Sequence, residues 1–151
     1  LGCRNVSKLY LPINFDIDRL FKNFSAYSNL IDHSNYTNNY DYHKAIFLVN
    51  RTRFFDNGFS LLKEDSRIGS PVSVIHFEYY SDIKALVKHL CEIHSQIQCL
   101  SANAGLKMKI SMLIKRNGSL VSFSIVPMGH TQNPELWDYA DGVDTMRFLL
   151  S

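Results

Sequence analysis

Near the start of the chain, a glycine, a cysteine and an apolar run follow one another, which is the order that a nucleophile on a loop requires. Gly2 lets the backbone approach a substrate closely, and Cys3 can supply a thiolate. The run from Leu9 to Pro12 has the pattern of a strand that would hold this loop in place. The alternative is that Cys3 is a small buried hydrophobic side chain, as most free cysteines are.

The composition is that of an ordinary globular chain. Its 151 residues suffice for one domain, and 46% of them are apolar. A net charge of +2 is too small to predict a nucleic acid or a membrane surface as a partner. The three widely spaced cysteines favour a reducing compartment, and no apolar run approaches the roughly 20 residues that span a bilayer. We therefore expect a cytoplasmic protein.

Strand patterns and helix patterns alternate along the sequence. Periodicity predicts strands at 6–11, 59–63, 72–79, 96–101 and 120–127, and helices at 17–27, 43–49, 83–93, 104–115 and 141–150. Asn14 or Asp16 is expected to cap the first helix and Ser81 the third, while residues 32–42 are assigned to a loop and helix start. Strands separated by helices imply crossover connections. We predict one α/β domain over residues 1–151, with a largely parallel sheet and helices on both faces.

Several motifs resemble one enzyme family. The Gly2-Cys3 loop and the acidic-then-Gly-Ser-Pro-Val element at 64–75 resemble the catalytic domain of the aldehyde dehydrogenase superfamily. More narrowly, four stretches are similar to bacterial acyl-CoA reductases of the luminescence type: GCRNVSK at 2–8, NNYDY at 38–42, DNGF at 56–59 and LWDYADGVDTM at 136–146. The resemblance extends over the chain from Cys3 onward, and it implies the three-layer fold of the superfamily's catalytic domain.

The resemblance implies the reduction of an acyl thioester to an aldehyde. Cys3 as thiolate would attack the carbonyl of an acyl-CoA or acyl-carrier thioester, and the carrier thiol would leave. The acyl-enzyme would then accept a hydride from NADPH or NADH. A backbone N–H at or beside Cys3 would stabilise the oxyanion.

The family also uses an acidic residue that touches the nicotinamide ribose. Counting back from Pro71 reaches Ser66 or Arg67, whereas the carboxylates are Glu64 and Asp65. We assign the cofactor contact to Glu64. The alternative is that Glu64 is a solvated loop carboxylate.

The chain opens on Leu1 inside the nucleophile loop, and it contains no Gly-rich strand-turn-helix that could hold a dinucleotide. We therefore expect a C-terminal part of a longer polypeptide, inactive without its cofactor-binding domain. The superfamily commonly forms dimers or tetramers, so a homo-oligomer is compatible with this interpretation. The second hypothesis is a non-catalytic α/β binding or assembly module in which Cys3 has no chemical role.

The remaining reactive side chains form no second site in the sequence. His89 and His94 are five residues apart on one predicted helix, so they cannot easily share an ion, and no metal is expected. His130 is either a general acid near the substrate or a surface histidine. The other candidates are two structural thiols, three tyrosines that either line an acyl pocket or lie on a surface loop, and an aromatic pair that anchors the tail or lines the acyl channel: Cys91, Cys99, Tyr36, Tyr40, Tyr42, Trp137 and Tyr139.

Overall fold

The structure is a computed structural model that describes residues 5–133 and 149–150. Cys3 and the closing motif at 136–146 lie outside the described residues. Contacts divide the chain into two compact units: Val6–Ser81 form one, and Asn5 and the described residues from Asp82 onward belong to the other. The single domain over 1–151 stays a prediction.

A four-stranded mixed sheet forms the first unit. Its strands are β1 (Lys8–Pro12), β2 (Phe55–Asp56), β3 (Leu61–Glu64) and β4 (Val74–Tyr80), in the order β1-β4-β3-β2. β4 pairs in parallel with both β1 and β3, whereas β2 pairs antiparallel with β3. The predicted Asn57-Gly58 turn joins β2 to β3, and Gly58 adopts a φ of 93°, which costs glycine little.

Two helices follow β1 in the chain. α1 (Ile17–Phe24) begins after Asp16, whose carboxylate accepts hydrogen bonds from the backbone N–H groups of Asp18 and Arg19. Asp16 is therefore the cap, and not Asn14. A 3-10 segment (Ser25–Asp32) leads into α2 (Ser34–Val49).

The prediction of a loop and helix start over residues 32–42 placed too little of this stretch in the helix, because α2 already begins at Ser34. Polar residues dominate this stretch, so it has no clear apolar period. The helix is stabilised instead by tertiary packing: Tyr40 and Phe47 are buried against Leu61 and Val74 of the sheet.

Alternate sheet residues contact different helices. Leu11, Leu62 and Phe77 form one apolar cluster with Ile17 of α1, and Leu61 and Val74 form the other cluster with α2. Because successive side chains of a strand point to opposite faces, the two helices cover opposite faces of this sheet. The α/β class is confirmed, and the sheet is mixed. A three-layer domain like that of aldehyde dehydrogenases stays a prediction.

The second unit has its own small sheet. Its elements are α3 (Ile83–Glu92), β5 (Cys99–Ala102), α4 (Ala104–Arg116) and β6 (Ser124–Pro127), and the two strands pair in parallel. α3 packs against α4. Among the described residues, the six strands therefore form two sheets, and not the one continuous sheet that the sequence predicted. No helix in the described ranges is long and apolar enough to cross a membrane.

The cap of α3 also differs from the prediction. Asp82 caps this helix, and not Ser81, because its carboxylate accepts hydrogen bonds from the N–H groups of Lys84 and Ala85 at 3.1 and 3.2 Å. These bonds lower the pKa of Asp82. The helix begins at Ile83, as predicted, and only its cap differs.

Asp82→Ala should lower the midpoint of urea unfolding at neutral pH, because it leaves two first-turn N–H groups without their side-chain acceptor. Ser81→Ala is the matched control and should leave the midpoint nearly unchanged. Equal effects of the two substitutions would contradict the assignment of the cap.

Candidate functional site

Three polar side chains lie in a row across the first unit's sheet. Lys8 of β1 and Lys63 of β3 are both in register with His76 of the central strand β4. Residues in register on parallel strands point to the same face, so these three side chains form a polar row. His76 is only 1% exposed, and the Lys8 side chain 4%. Buried polar groups of this kind require hydrogen-bond partners, which the next segment of the chain supplies.

Asp65, directly after β3, forms ion pairs with the positively charged side chains around it. Its carboxylate accepts from Lys63 Nζ at 2.7 Å and from the Nη2 and Nε of Arg67 at 2.7 and 2.9 Å. It also accepts from the Arg67 backbone N–H. The hydrogen bonds from Arg67 hold the pKa of Asp65 well below its usual range, Lys63 acts in the same direction, and burial opposes both. The carboxylate is therefore ionised at neutral pH.

His76 makes hydrogen bonds on two sides. Its backbone N–H donates to the carbonyl oxygen of Ser7 at 2.9 Å, and its Nδ1 lies 3.1 Å from the carbonyl oxygen of Arg67. Because a carbonyl only accepts, Nδ1 must hold the proton. Burial lowers the pKa of His76, so the ring is neutral at neutral pH. Its Nε2 lies 3.9 Å from Oδ2 of Asp65.

Lys8 provides a second connection between the same two parts of the chain. Its ammonium group donates to the backbone carbonyl of Asp65 and lies 2.6 Å from Oε2 of Glu78. Residues 7–8 and residues 65–67 are therefore joined twice, once through the ring and backbone of His76 and once through Lys8. Residues 7–8 end the stretch that the family resemblance assigns to the nucleophile. Residues 65–67 lie in the stretch that it assigns to cofactor binding.

The two candidate cofactor carboxylates differ in their exposure to solvent. Glu64 is the last residue of β3 and its side chain is exposed, whereas the carboxylate of Asp65 is largely buried in ion pairs. Of these two carboxylates, that of Glu64 is therefore the more accessible to solvent. Its role as a cofactor contact stays a prediction.

The sequence analysis did not predict that His76 lies beside Lys8 and Asp65. One signal was present: in the most apolar strand, a histidine occupies the position two residues after Val74, on the same face. A polar residue at an inward position of such a strand marks a buried hydrogen bond. The bonding partners were not predictable, since they come from two distant segments.

The other candidate side chains differ in burial. Tyr40 is a core residue of α2 whose hydroxyl donates to Asp56 at 2.6 Å, so the interpretation of its segment as a surface loop was wrong. Tyr42 and His130 are exposed. Cys91 and Cys99 are half-buried free thiols. Within the part of the chain that the structure describes, no three histidine, cysteine or acidic side chains are grouped to hold a metal ion.

The second unit contains an open groove of about 830 Å³ between α3 and α4. Lys84, Lys88 and Arg116 line it together with Cys91 and Glu92. The half-buried thiol of Cys91 therefore lies in a groove whose charged side chains are of both signs, since Asp82 also lines it.

No family model, no curated protein and no solved structure matches this chain.

Asp65→Asn should lower the free energy of unfolding by about 2 kcal/mol at neutral pH, because the amide cannot accept the charged hydrogen bonds of Lys63 and Arg67 equally well. The folded-state pKa of Asp65 is depressed, so its stabilising contribution is complete above the unfolded-state pKa of about 4 and is lost as the pH falls through the folded-state value. The difference between the wild type and the variant should therefore shrink only below about pH 4. Urea unfolding at a series of pH values measures it.

Arg67→Gln is the control for Asp65→Asn. Its side chain is mostly exposed, so it should destabilise the protein less than Asp65→Asn does. A pH-independent loss in Asp65→Asn would contradict the assigned ionisation.

Proposed function

We propose that this chain is the catalytic part of a nicotinamide-dependent acyl-CoA (thioester) reductase that forms an aldehyde through an acyl-cysteine on Cys3. The observation that supports this function best is the double connection between residues 7–8, which follow the nucleophile loop, and residues 65–67, which belong to the proposed cofactor element. The sequence motifs named the two stretches independently of each other. Their direct connection is what a site shared by nucleophile and cofactor requires.

Few residues separate the proposed nucleophile from Ser7. Cys3 precedes Ser7 by four residues, and a fully extended chain of that length spans at most about 14 Å. Ser7 itself is held on the central strand, because its carbonyl oxygen accepts from the backbone N–H of His76 at 2.9 Å. Holding the reacting groups in a restricted volume lowers the entropic part of the barrier.

The proposed reaction divides between covalent and hydride steps. The Cys3 thiolate forms a bond to the thioester carbonyl carbon, the C–S bond to CoA or to an acyl carrier breaks, and the released thiolate takes up a proton. NADPH or NADH supplies a hydride when it is bound. The hydride would add to the acyl carbon and the C–S bond to Cys3 would break, so that the aldehyde and the Cys3 thiolate are the products.

We propose that Glu64 supplies one contact of the cofactor site. The exposed carboxylate of Glu64 suits a contact with ribose hydroxyls, which are hydrogen-bond donors. The described ranges contain no strand that leads through a Gly-rich turn into a helix, the arrangement that binds a dinucleotide diphosphate. We therefore propose that most of the cofactor binds to another part of the full-length protein, in the cytoplasm of a bacterium.

Cys3→Ala tests the proposed nucleophile. Full-length protein incubated with acyl-CoA in the absence of reduced cofactor should gain one acyl group on the peptide that contains Cys3, as measured by mass spectrometry. Cys3→Ala should abolish this adduct and lower aldehyde formation more than about a thousandfold, because the reaction loses its covalent step.

Cys91→Ala and Cys99→Ala are the matched controls and should retain both the adduct and the activity. Aldehyde formation that persists in Cys3→Ala would contradict the proposal. Absence of any acyl adduct in the wild type would favour the non-catalytic binding or assembly module.

Glu64→Gln tests the cofactor contact. The substitution should raise the KM for the nicotinamide cofactor about tenfold, because a charged acceptor of ribose hydroxyls becomes a neutral one. The KM for acyl-CoA and the midpoint of urea unfolding should stay unchanged, since the side chain is exposed. An unchanged cofactor KM would identify Glu64 as a solvated surface carboxylate.

A further inference from the structure

We propose that the outward face of α4 docks on an anionic lipid surface. This docking face consists of two exposed methionines and the basic side chains beside them: Met108, Met112, Lys107, Lys109, Lys115 and Arg116. The inference is independent of the proposed reductase activity, because it involves neither Cys3 nor a cofactor.

The net charge of the chain is small, but its positive charge is unevenly distributed. The first unit, Val6–Ser81, contains eight basic and eight acidic residues. Between residues 82 and 133, the second unit contains six basic residues and only two acidic ones, Asp82 and Glu92. A local excess of positive charge attracts an anionic surface even where the whole chain is nearly neutral. The described part of the second unit is therefore the part of the chain that such a surface would attract.

Most of this positive charge is on α4. The helix contains four basic residues and no acidic one. Lys109 is close enough to Asp82 to help lower the pKa of that carboxyl, although the hydrogen bonds from the Lys84 and Ala85 N–H groups contribute more. Within the part of the chain that the structure describes, the other three basic side chains of α4 form no ion pair. Their charges are available to an external partner.

Two methionines lie at the centre of the docking face. Met108 and Met112 are 61% and 62% exposed, and they are one turn apart, about 40° around the helix axis. The buried side chains of the helix, Ile110 and Ile114, lie on the other side. Lys107 and Lys109 project about 100° to either side of Met108. Apolar side chains with cations on both sides are typical of helices that lie in the interface of a bilayer.

The methionines favour a lipid surface over other polyanions. A nucleic acid backbone offers phosphates to the lysines, but it offers no apolar partner to the exposed thioethers. An anionic bilayer offers both, because its headgroups attract the cations and its acyl boundary accepts flexible apolar side chains. Lysine side chains can lie along that boundary and keep their ammonium groups among the headgroups.

Co-sedimentation of the full-length protein with lipid vesicles tests the docking face. The protein should bind vesicles that contain phosphatidylglycerol more tightly than vesicles of phosphatidylcholine alone, and high salt should weaken this binding. Lys109→Gln/Lys115→Gln should weaken it about tenfold or more, because two cations are lost. Met108→Gln/Met112→Gln should weaken it about fivefold, because the face loses its apolar contact with the bilayer.

Glutamine has nearly the helix propensity of lysine and methionine, so α4 should stay folded in both variants. Equal midpoints of urea unfolding in the variants and the wild type check this.

Two double variants of the first unit are the matched controls. Arg19→Gln/Lys22→Gln removes the same number of positive charges from exposed positions of α1. Leu48→Gln/Val49→Gln removes two exposed apolar side chains of α2, which are 60% and 82% exposed. Both controls should leave vesicle binding unchanged.

Equal binding to the two kinds of vesicle, or binding that neither α4 variant weakens, would overturn the inference. A loss in the controls as large as that in the α4 variants would also overturn it. Polyglutamate and duplex DNA test the other partners. Binding to one of these without binding to vesicles would assign the face to an acidic protein or to a nucleic acid, and not to a lipid surface.

Discussion

The first unit depends on how its sheet tolerates polar side chains on a buried face. Lys8, His76 and Lys63 form a row across three parallel strands, where an unpaired polar group would cost free energy. The cost is offset because the chain after β3 turns back over the row and supplies Asp65 and the carbonyl oxygens of residues 65 and 67. The position of this loop is thus a condition for folding the sheet.

One part of the same sheet face is stabilised by apolar packing, and the other part by ion pairs and hydrogen bonds. Leu61 and Val74, two residues before Lys63 and His76, pack against α2, so the apolar part of the face is covered by a helix. On the opposite face, Leu11, Leu62 and Phe77 pack against Ile17 of α1. The polar part of the first face is stabilised by ion pairs and hydrogen bonds. Such bonds are directional, whereas apolar packing is less so, and a directional network is better suited to fix the position of a loop.

The polar part of this sheet face bears on how the proposed reductase would position its reacting groups. Catalysis by a covalent cysteine requires that the thiol and the hydride donor approach the same carbon atom. A protein can meet this requirement by joining the two supporting segments to one strand, and β4 is the strand that both contact.

The sequence by itself determined the elements whose signals are local. The β1 run that ends at Pro12, the Asn57-Gly58 turn and the helix from Ala104 were predicted because periodicity, turn chemistry and caps act over a few residues. The start of α2 was missed, since the burial of Tyr40 and Phe47 depends on a sheet formed by distant residues.

The candidate network shows the same limit. The types of Cys3 and Glu64 and the motifs around them were visible in the sequence, and they alone suggested a thioester reductase. Only the tertiary structure paired His76 with Ser7 and Arg67. The parallel pairing of β1 with β4 brings Ser7 to a residue 69 positions away, and the loop after β3 brings Arg67 back to β4. Sequence periodicity specifies which face a residue occupies, but the partner across the sheet is decided by strand order and register.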